Sequence, residues 1–458
     1  MKIKFCGAAK IVTGSCHLLD TGKTKVLIDC GMYQGSKETT RKNYEDFLFD
    51  PSSIDALIVT HGHIDHCGLI PKLVAKGFGG NIYCTESTAD LIPVMLEDSA
   101  HIQESDTEHE NRRRRRKGLE ERAPLYTKED VTDVLPLIKG VRYETDIRIS
   151  DDVTVRLREA GHIIGSAMAV IHAVDDGKTK KIVFTGDIGQ WDVPIIKDPV
   201  KIEDADFLIM ESTYGDRVHE EPEPRSEILL RCIKDTVKRG GRVMIPSFAL
   251  ERTQEIIYSL FKLRKEGRLP DIPIFIDSPL AIRATEVFRE HTEVYDEEAQ
   301  ELGNPFEMKG LVYTLSAQES KDINDIQEPC VIIAGSGMCT AGRIRHHFKH
   351  GLWDPKNTVI FVGYQAEGTL GRYILEGNEM VRMMGMEIKV GADIKRISSF
   401  SAHADYKELL AWLEEFSSKP EKVFMVHGDA EVIESFSHKV QEIGFTTHAP
   451  ELGEEVEI

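Results

Sequence analysis

The sequence predicts an α/β fold in which a domain with a doubly wound parallel sheet is inserted into a second, strand-rich domain. Short apolar segments dominate the first 210 residues, whereas strands and helices alternate regularly after residue 222. The strands after residue 222 lack polar alternation, which is typical of parallel strands buried on both faces. After about Lys395 the chain returns to strand and helix pieces that end in KVFMVHGD at 422–429.

Local patterns predict the individual elements. Thr21 to Lys23 separates two apolar runs and is typical of a hairpin turn. Strands of the first domain are predicted at 26–29, 56–60, 153–157, 167–171, 181–187 and 207–213. A long amphipathic helix is predicted from Thr88 to about Lys117, and another begins near Thr127. In the inserted domain, helices are predicted at 226–239 and from Glu251, and strands at 242–248, 272–278, 330–336 and 358–364.

Composition narrows the class of protein. The 458 residues suggest two domains, and a hydrophobic fraction of 41% allows an ample core. No apolar run approaches the roughly 20 residues that cross a bilayer, and the N-terminus lacks the apolar segment of a signal peptide. Because the eight cysteines are scattered singly, we expect free thiols in a reducing cytoplasm and no membrane partner.

Charge sets a condition on any polyanionic partner. A formal net charge of −20 opposes long-range attraction of nucleic acid, so positive charge would have to be concentrated locally. Residues 112–117, five arginines and a lysine, form such a concentration. A solvated helix face balanced by nearby glutamates explains this run equally well, because a charge run alone does not discriminate.

The strongest chemical signal is the segment HGHIDH, which places His61, His63, Asp65 and His66 directly after the strand ALIVT. Three imidazoles and a carboxylate within six residues are not a packing arrangement, and they are ligands that zinc prefers. The spacing allows one loop to serve two ions, with His61 and His63 on one and Asp65 and His66 on the other.

Two ions need further ligands, and two strand ends supply candidates. His162 and Asp187 each follow a glycine at the end of an apolar strand. Taken singly, each is more often a hydrogen-bonded polar residue, but the HGHIDH segment in the same chain favours metal binding. Asp187 could bridge both ions.

These residues resemble a known family. Asp29, the HGHIDH segment, His162 and Asp187 match in order the motifs of the metallo-β-lactamase fold, an αββα sandwich of two β-sheets flanked by helices. The resemblance implies that Asp29 orients the ligand loop from outside the metal site.

The remaining motifs resemble the β-CASP nucleases within that fold. Glu211 in MESTYG resembles their motif A, SFSAHAD at 399–405 resembles motif B, and VHGD at 426–429 resembles motif C. The chain is similar to archaeal and bacterial relatives of the endonuclease subunit of the cleavage and polyadenylation specificity factor. Many archaeal relatives carry N-terminal KH domains, whereas this sequence begins at the catalytic fold, which implies that RNA affinity comes from the groove between domains or from partners.

The resemblance implies both domain limits and chemistry. The metallo-β-lactamase domain is expected at 1–210 and 395–458, and the inserted β-CASP domain at 211–394. The implied activity is hydrolysis of single-stranded RNA with two Zn²⁺ per chain. The implied metal ligands are His61, His63, Asp65, His66, His162, Asp187 and His427. His427, in motif C, favours RNA over DNA, since RNA-processing members tend to have histidine there.

The resemblance also implies the residues of catalysis. His403 of motif B is the implied general acid for the leaving oxygen, and Glu211 is expected to hold it and keep it protonated. Asp65 and Asp187 are counted as catalytic residues as well as metal ligands.

Phosphates of neighbouring nucleotides need donors from the inserted domain. Ser247 and Ser336 follow predicted strands at turns into helices, and Ser399 opens motif B, so all three are candidate phosphate contacts. Tight turns that let helices pack explain the glycines of 335–342 equally well. His346 and His350 have a spacing that could chelate metal, but a solvated helix face that includes His347 is the favoured interpretation.

Two other functions are considered. Hydrolases of the same fold that act on small esters or lactams lack the long insertion and the SAHAD and VHGD segments. A non-catalytic scaffold subunit of an RNA-processing complex would have lost metal ligands, and here all seven are present. Endonuclease against 5′-exonuclease activity, RNA sequence preference, and a homodimer against complex subunits all stay open.

Overall fold

Apolar strands separated by glycine turns build the first part of the chain, as the N-terminal hairpin illustrates. The computed structural model describes residues 1–219, 223–363, 365–397 and 400–458. His17–Asp20 pairs antiparallel with Lys25–Ile28. Gly22, with φ of 84°, lies in the left-handed region that glycine adopts at little cost, so it closes the predicted turn.

The described residues form strands and α-helices, which are numbered in chain order. The strands are β1 (Lys2–Phe5), β2 (His17–Asp20), β3 (Lys25–Ile28), β4 (Ala56–Ile58), β5 (Asn81–Thr85), β6 (Ile138–Val141), β7 (Asp146–Arg148), β8 (Val153–Glu159), β9 (Ala167–Asp175), β10 (Lys178–Phe184), β11 (Phe207–Glu211), β12 (Val243–Pro246), β13 (Ile274–Asp277), β14 (Leu311–Tyr313), β15 (Val331–Ala334), β16 (Thr358–Phe361), β17 (Met380–Met383), β18 (Met386–Lys389), β19 (Asp393–Arg396), β20 (Lys422–Val426), β21 (Thr447–His448) and β22 (Glu455–Glu457).

The α-helices are α1 (Lys37–Arg41), α2 (Ile64–Cys67), α3 (Ile70–Ala75), α4 (Glu86–Arg116), α5 (Lys128–Val134), α6 (Arg225–Lys238), α7 (Arg252–Lys265), α8 (Pro279–Glu290), α9 (Glu297–Leu302), α10 (Ala317–Asp322), α11 (Ile344–Gly351), α12 (Leu370–Leu375), α13 (Tyr406–Glu414) and α14 (Ala430–Glu442). Short 3-10 helices lie at Lys42–Tyr44, Pro51–Ser53, Leu135–Leu137, Thr292–Val294, Pro305–Glu307 and Ile323–Asp325.

Two seven-stranded sheets form the first compact unit, which comprises Met1–Val193, Lys197–Val218 and His403–Ile458. The strand orders are β22-β1-β2-β3-β4-β5-β6 and β21-β20-β11-β10-β9-β8-β7. Strand β20 pairs in parallel with β11, with Glu211 opposite Val426. The chain that leaves after β11 therefore returns to the same sheet, which confirms that the intervening segment is an insertion.

Three apolar layers stabilise the first unit. The central layer lies between the two sheets, where the rings of Phe5 and Phe424 have centroids 5.2 Å apart. Helices α3, α4 and α5 cover the outer face of the first sheet with Leu73, Ile92 and Val131. Helices α13 and α14 cover the second with Leu409, Trp412 and Phe436. Two packed sheets with helices on both outer faces confirm the αββα sandwich.

A six-stranded parallel sheet forms the second unit, which comprises Pro194–Ile196 and His219–Ala402. Its order is β14-β13-β15-β12-β16-β19, and all five neighbouring pairs are parallel. Every residue of β12, β13, β15 and β16 is buried, as apolar strands covered on both faces require. The chain adds strands first on one side of β12 and then on the other, which is the predicted doubly wound arrangement.

The chain passes from the first unit to the second near residue 218 and returns near residue 402. The sequence predicted these domain boundaries after residues 210 and 394. Thr213 donates a hydrogen bond of 3.1 Å to the His427 carbonyl, so the segment after β11 stays with the first unit. Strand β19 pairs with β16, so the second unit continues beyond residue 394.

Helix α4 carries the arginine run. Thr85 caps the helix by accepting a hydrogen bond from the Thr88 backbone N–H. The arginines lie in its last turns, and three of them form ion pairs with glutamates on the same helix or just after it. These pairs are Arg112–Glu108, Arg114–Glu110, Arg115–Glu108 and Arg115–Glu121. Among the described residues, α4 and every other helix is too short or too polar to span a membrane.

Trp412 of α13 should be among the residues that are most costly to truncate. It is fully buried beside β20, and its Nε1 donates a 3.0 Å hydrogen bond to the Val200 carbonyl. Trp412→Ala is expected to lower the free energy of unfolding, measured by urea denaturation, by about 3–5 kcal/mol. Trp353→Ala is the control, because Trp353 is 53% exposed and its loss should change stability by less than about 0.5 kcal/mol. Equal losses in the two variants would contradict the described packing.

Candidate metal centre

The HGHIDH segment lies where β4 ends and the short helix α2 begins. This loop approaches the chain after β3 so closely that a Cβ on Gly31 would lie 1.6 Å from the Asp65 carbonyl oxygen. A glycine at position 31 is therefore needed for the loop to pack. The ligand loop is held by backbone hydrogen bonds as well, since the Asp65 carbonyl accepts from the Ser15 N–H at 2.8 Å.

A first group of donor atoms comprises His61, His63, His162 and Asp187, whose nearest nitrogen and oxygen atoms all lie within 4.8 Å of one another. His63 Nδ1 lies 3.0 Å from His61 Nε2 and 3.2 Å from His162 Nε2. Asp187 Oδ2 lies 3.5 Å from both His61 Nε2 and His162 Nε2. Three different loops of the first unit thus meet at one point.

A second group comprises Asp65, His66 and His427. His427 Nε2 lies 3.2 Å from His66 Nε2 and 3.5 Å from Asp65 Oδ2. Asp187 also reaches this group, because its Oδ1 lies 3.3 Å from His66 Nε2. The carboxylate of Asp187 therefore directs one oxygen to each group, and it is buried between them.

This donor set fits divalent metal ions. Burial lowers the pKa of His61 and lowers that of His63 to about 4, so both imidazoles are neutral and can act as ligands. Ring nitrogens of neighbouring histidines face each other across about 3 Å, and Asp187 Oδ1 accepts no hydrogen bond within the described part of the chain. Lone pairs that converge in this way are satisfied by a cation at the common point.

Asp29 supports the centre from behind. Its Oδ2 accepts hydrogen bonds from His66 Nδ1 at 2.7 Å and from Thr60 Oγ1 at 2.9 Å. Its Oδ1 accepts from the Thr60 backbone N–H at 2.8 Å. Because Nδ1 of His66 is bound in this way, its Nε2 points to the second group of ligands.

Two supporting residues were missed in the sequence. Thr213 Oγ1 lies 3.1 Å from His427 Nδ1 and so fixes the ring with Nε2 towards His66. Ser166 Oγ accepts a 2.9 Å hydrogen bond from the His162 backbone N–H. Thr213 lies only two positions after Glu211, the last residue of β11, and that spacing was the available signal.

His403 and Glu211 form a pair at the edge of the centre. His403 Nδ1 lies 3.1 Å from Glu211 Oε2, and the other oxygen of Glu211 accepts from the Ile188 N–H. Burial lowers the pKa of His403, but the Glu211 carboxylate, together with Asp187 and Asp65, more than offsets this and raises it to about 9. The side chain of His403 is 21% exposed, whereas that of His427 is 5% exposed. His403 is thus the more accessible of the two.

The candidate phosphate contacts are not part of this cluster. Ser247 and Ser336 lie in the second unit, after β12 and β15. Ser247 is buried, and its Oγ donates to the Phe248 carbonyl at 3.1 Å and lies 3.0 Å from Thr253 Oγ1. Ser336 Oγ is bonded within its own loop, to the N–H and carbonyl of Ala341. Ser399 lies outside the described residues.

Comparisons with known proteins agree with this geometry. Family models match in three places, described as metallo-beta-lactamase superfamily at 10–214, Beta-Casp domain at 253–374 and Zn-dependent metallo-hydrolase RNA specificity domain at 387–450. Ribonuclease TTHA0252 of Thermus thermophilus is 38% identical over 435 residues, which is 94% of each chain.

Two archaeal relatives and one solved structure extend the comparison. Transcription termination factor FttA of Methanocaldococcus jannaschii is 32% identical over 97% of this chain and 69% of its own length. The RNase J-like protein of the same organism is 33% identical over 93% and 92%. A crystal structure of a protein of unknown function from Enterococcus faecalis has a TM-score of 0.59 at 12% identity over 99% of both chains, a likeness of fold alone.

The fold, the ligand cluster and these matches define a metal-dependent hydrolase of the metallo-β-lactamase superfamily. Within that superfamily, the inserted domain distinguishes the family to which the chain belongs. The chain belongs to the β-CASP family, as the sequence resemblance predicted.

Proposed function

We propose that this chain is a zinc-dependent ribonuclease that hydrolyses phosphodiester bonds of single-stranded RNA with two metal ions. The proposal of a metal pair rests on Asp187, whose two carboxylate oxygens face different groups of ligands. Relatives named ribonuclease, a matching RNA specificity domain and His427 in the position of motif C support RNA as the substrate.

Each half of the centre has its own ligands. One zinc ion is assigned to His61, His63 and His162, and the second to Asp65, His66 and His427, with Asp187 shared. Zinc bound there would supply Lewis-acid chemistry, since it polarises phosphate oxygens and lowers the pKa of water. The residues of the chain supply orientation, because Asp29 and Thr213 fix the rings of His66 and His427.

The protein also has to protonate the leaving oxygen. His403 is assigned this role because its Nδ1 is held by Glu211 and its side chain is partly exposed. Glu211 is buried and stabilises the protonated imidazole, so the proton is retained until a strongly basic oxygen develops. A scaffold subunit would have no use for this pair, and its presence beside a complete ligand set favours an enzyme.

Substrate contacts outside the centre are assigned to the second unit. Ser336 is a candidate phosphate contact because its loop, unlike the buried Ser247, is partly exposed. We place the protein in the cytoplasm, which the eight free and buried cysteines support.

The proposed substrate can be tested with end-labelled RNA. The purified protein is expected to cleave a single-stranded RNA and to leave a DNA of the same sequence and a β-lactam intact. Comparison of 5′-hydroxyl with 5′-monophosphate RNA separates internal cleavage from removal of nucleotides at the 5′ end. Hydrolysis of the lactam without cleavage of RNA would contradict the proposal.

The arginine run offers a second test through salt dependence. Arg113 and Arg116 are exposed and form no ion pair with any residue that the structure describes, whereas Arg112 and Arg115 are paired with glutamates. If the free arginines bind phosphates, changing both to glutamine should lower the slope of log K against log salt by about 1.4, at about 0.7 per contact.

The matched control for the salt test replaces the paired arginines, Arg112 and Arg115, with glutamine. This control should change the slope less, because these charges are already neutralised. An unchanged slope in the Arg113 and Arg116 variant would assign the whole run to a solvated helix face.

A further inference from the structure

Phe248 is exposed just beyond the carboxyl end of an inner strand of the parallel sheet of the second unit. It follows β12 by two positions and is 42% exposed. All phenylalanines of the chain are described by the structure, and each of the others is buried or half-buried. Single exposed apolar side chains are common on protein surfaces, so what distinguishes Phe248 is the packing beneath its ring.

The ring of Phe248 lies on two glycines. A Cβ on Gly337 would lie 2.7 Å from Phe248 Cδ2, and one on Gly363 would lie 3.3 Å from Cε2. Neither glycine has a positive φ, so the backbone does not require glycine at these positions. The space that the ring occupies favours glycine at both positions, most strongly at Gly337.

Gly337 and Gly363 form a bed under the ring, and Gln365 links them. Gln365 is buried, and its Nε2 donates to the Gly337 carbonyl at 2.8 Å and to the Gly363 carbonyl at 3.3 Å. One side chain therefore joins the two glycine segments, which come from loops after different strands. Because one face of the Phe248 ring packs against this bed, the exposed part of the ring is its opposite face.

The backbone of Phe248 is held as well. Its carbonyl accepts hydrogen bonds from Thr253 Oγ1 at 2.7 Å and from Ser247 Oγ at 3.1 Å. The buried hydroxyl of Ser247 thus positions the neighbouring aromatic residue. Hydrogen bonds thus hold the Phe248 carbonyl and the glycines under its ring, which reduces the ordering that ligand binding would require.

We propose that Phe248 is a stacking platform for one base of the RNA substrate. The proposal rests on the proposed ribonuclease function and adds a residue that determines how the RNA is held. Every nucleobase has a π-face, and the phenylalanine ring offers no hydrogen bond, so this contact recognises the presence of a base and not its identity. Ser336, the candidate phosphate contact, directly precedes Gly337 in the bed.

An abasic scan of the RNA tests the platform. In the wild-type protein, removing the base at one position is expected to weaken binding by roughly 5-fold to 100-fold, the usual worth of one stacked base. Exchanging one base for another at that position should matter much less. In Phe248→Leu the abasic penalty should disappear, whereas Phe248→Trp should keep it.

Kinetics provide a second measurement. Phe248→Leu should raise KM for the intact RNA with little change in kcat, because stacking contributes equally to the ground state and the transition state. Gly337→Ala should act in the same direction, since its Cβ displaces the ring while Phe248 itself is retained. Tyr373→Leu is the control. Tyr373 is also an exposed aromatic residue of the second unit, at 48%, but it is not proposed to stack on a base.

The outcomes separate this inference from the proposed function. If the wild-type protein cleaves RNA and Phe248→Leu keeps both its KM and the abasic penalty, the platform is wrong and the ribonuclease stands. If the wild-type protein neither binds nor cleaves RNA, the proposed function fails first and the platform with it.

Discussion

Replacing Asp187 with asparagine is expected to remove metal from one half of the centre, to weaken metal binding in the other half and to abolish RNA cleavage. Its Oδ2 faces His61 and His162, and its Oδ1 faces His66. An amide keeps the volume but offers one oxygen and no charge, so one group of ligands loses its share whichever way the side chain turns. Metal ions contribute several kcal/mol of transition-state stabilisation, and each ~1.4 kcal/mol is tenfold, so we expect a loss of roughly 10³-fold or more.

Metal analysis and RNA cleavage should be measured on the same preparation of this variant. Asp152→Asn is the matched control, because Asp152 is also a buried carboxylate of the first unit but accepts from Thr21 and Thr24 instead of facing histidines. The control should keep its metal and its activity. An Asp187→Asn protein with full metal content and normal cleavage would show that this carboxylate bridges nothing.

His403→Ala is expected to lose roughly 10²-fold to 10⁴-fold in cleavage rate while keeping both metals and normal RNA affinity. The side chain of His403 contacts Glu211 and is partly exposed, which suits a proton donor. His427→Ala should fail differently. Its Nε2 lies among the second group of ligands, so metal at that site should weaken and activity should fall with it.

A substrate with a better leaving group separates these two failures. A phosphodiester that releases nitrophenolate needs no proton at the leaving oxygen, so it should recover much of the loss in His403→Ala and little in His427→Ala. Loss of a metal ion from His403→Ala, or equal behaviour of both variants towards this substrate, would contradict the assignment of the general acid.

Much of the site was predictable because several of its residues lie close together in the sequence. His61, His63, Asp65 and His66 are close in sequence, and strand ends place them on one edge of a sheet, so spacing alone brings them together. His162 and Asp187 also follow strands, and their place after strand ends became informative beside the HGHIDH segment, whereas His427 was implied by the resemblance to motif C. The doubly wound sheet was predictable for a similar reason, since strands such as β12 and β15 are continuously apolar.

The contacts that were missed are tertiary. His347 was expected on a solvated helix face, but it is buried, with its Nε2 2.7 Å from Asp277 Oδ2, and that expectation was wrong. Asp277 lies 70 positions away, at the end of β13, so no local pattern reveals the pair. For Phe248 the local pattern points the other way. An aromatic residue after an apolar strand is usually buried in the core, whereas Phe248 is exposed. Its exposure depends on glycines in two later loops.

Removing and restoring zinc tests the central claim most directly. Protein purified without added metal is expected to contain close to two zinc ions per chain, measured by mass spectrometry, and to cleave single-stranded RNA. Exhaustive chelation should abolish cleavage, and two equivalents of zinc should restore it, because the buried imidazoles and carboxylates converge on two points. A metal-free protein that still cleaves RNA at the original rate would contradict the account.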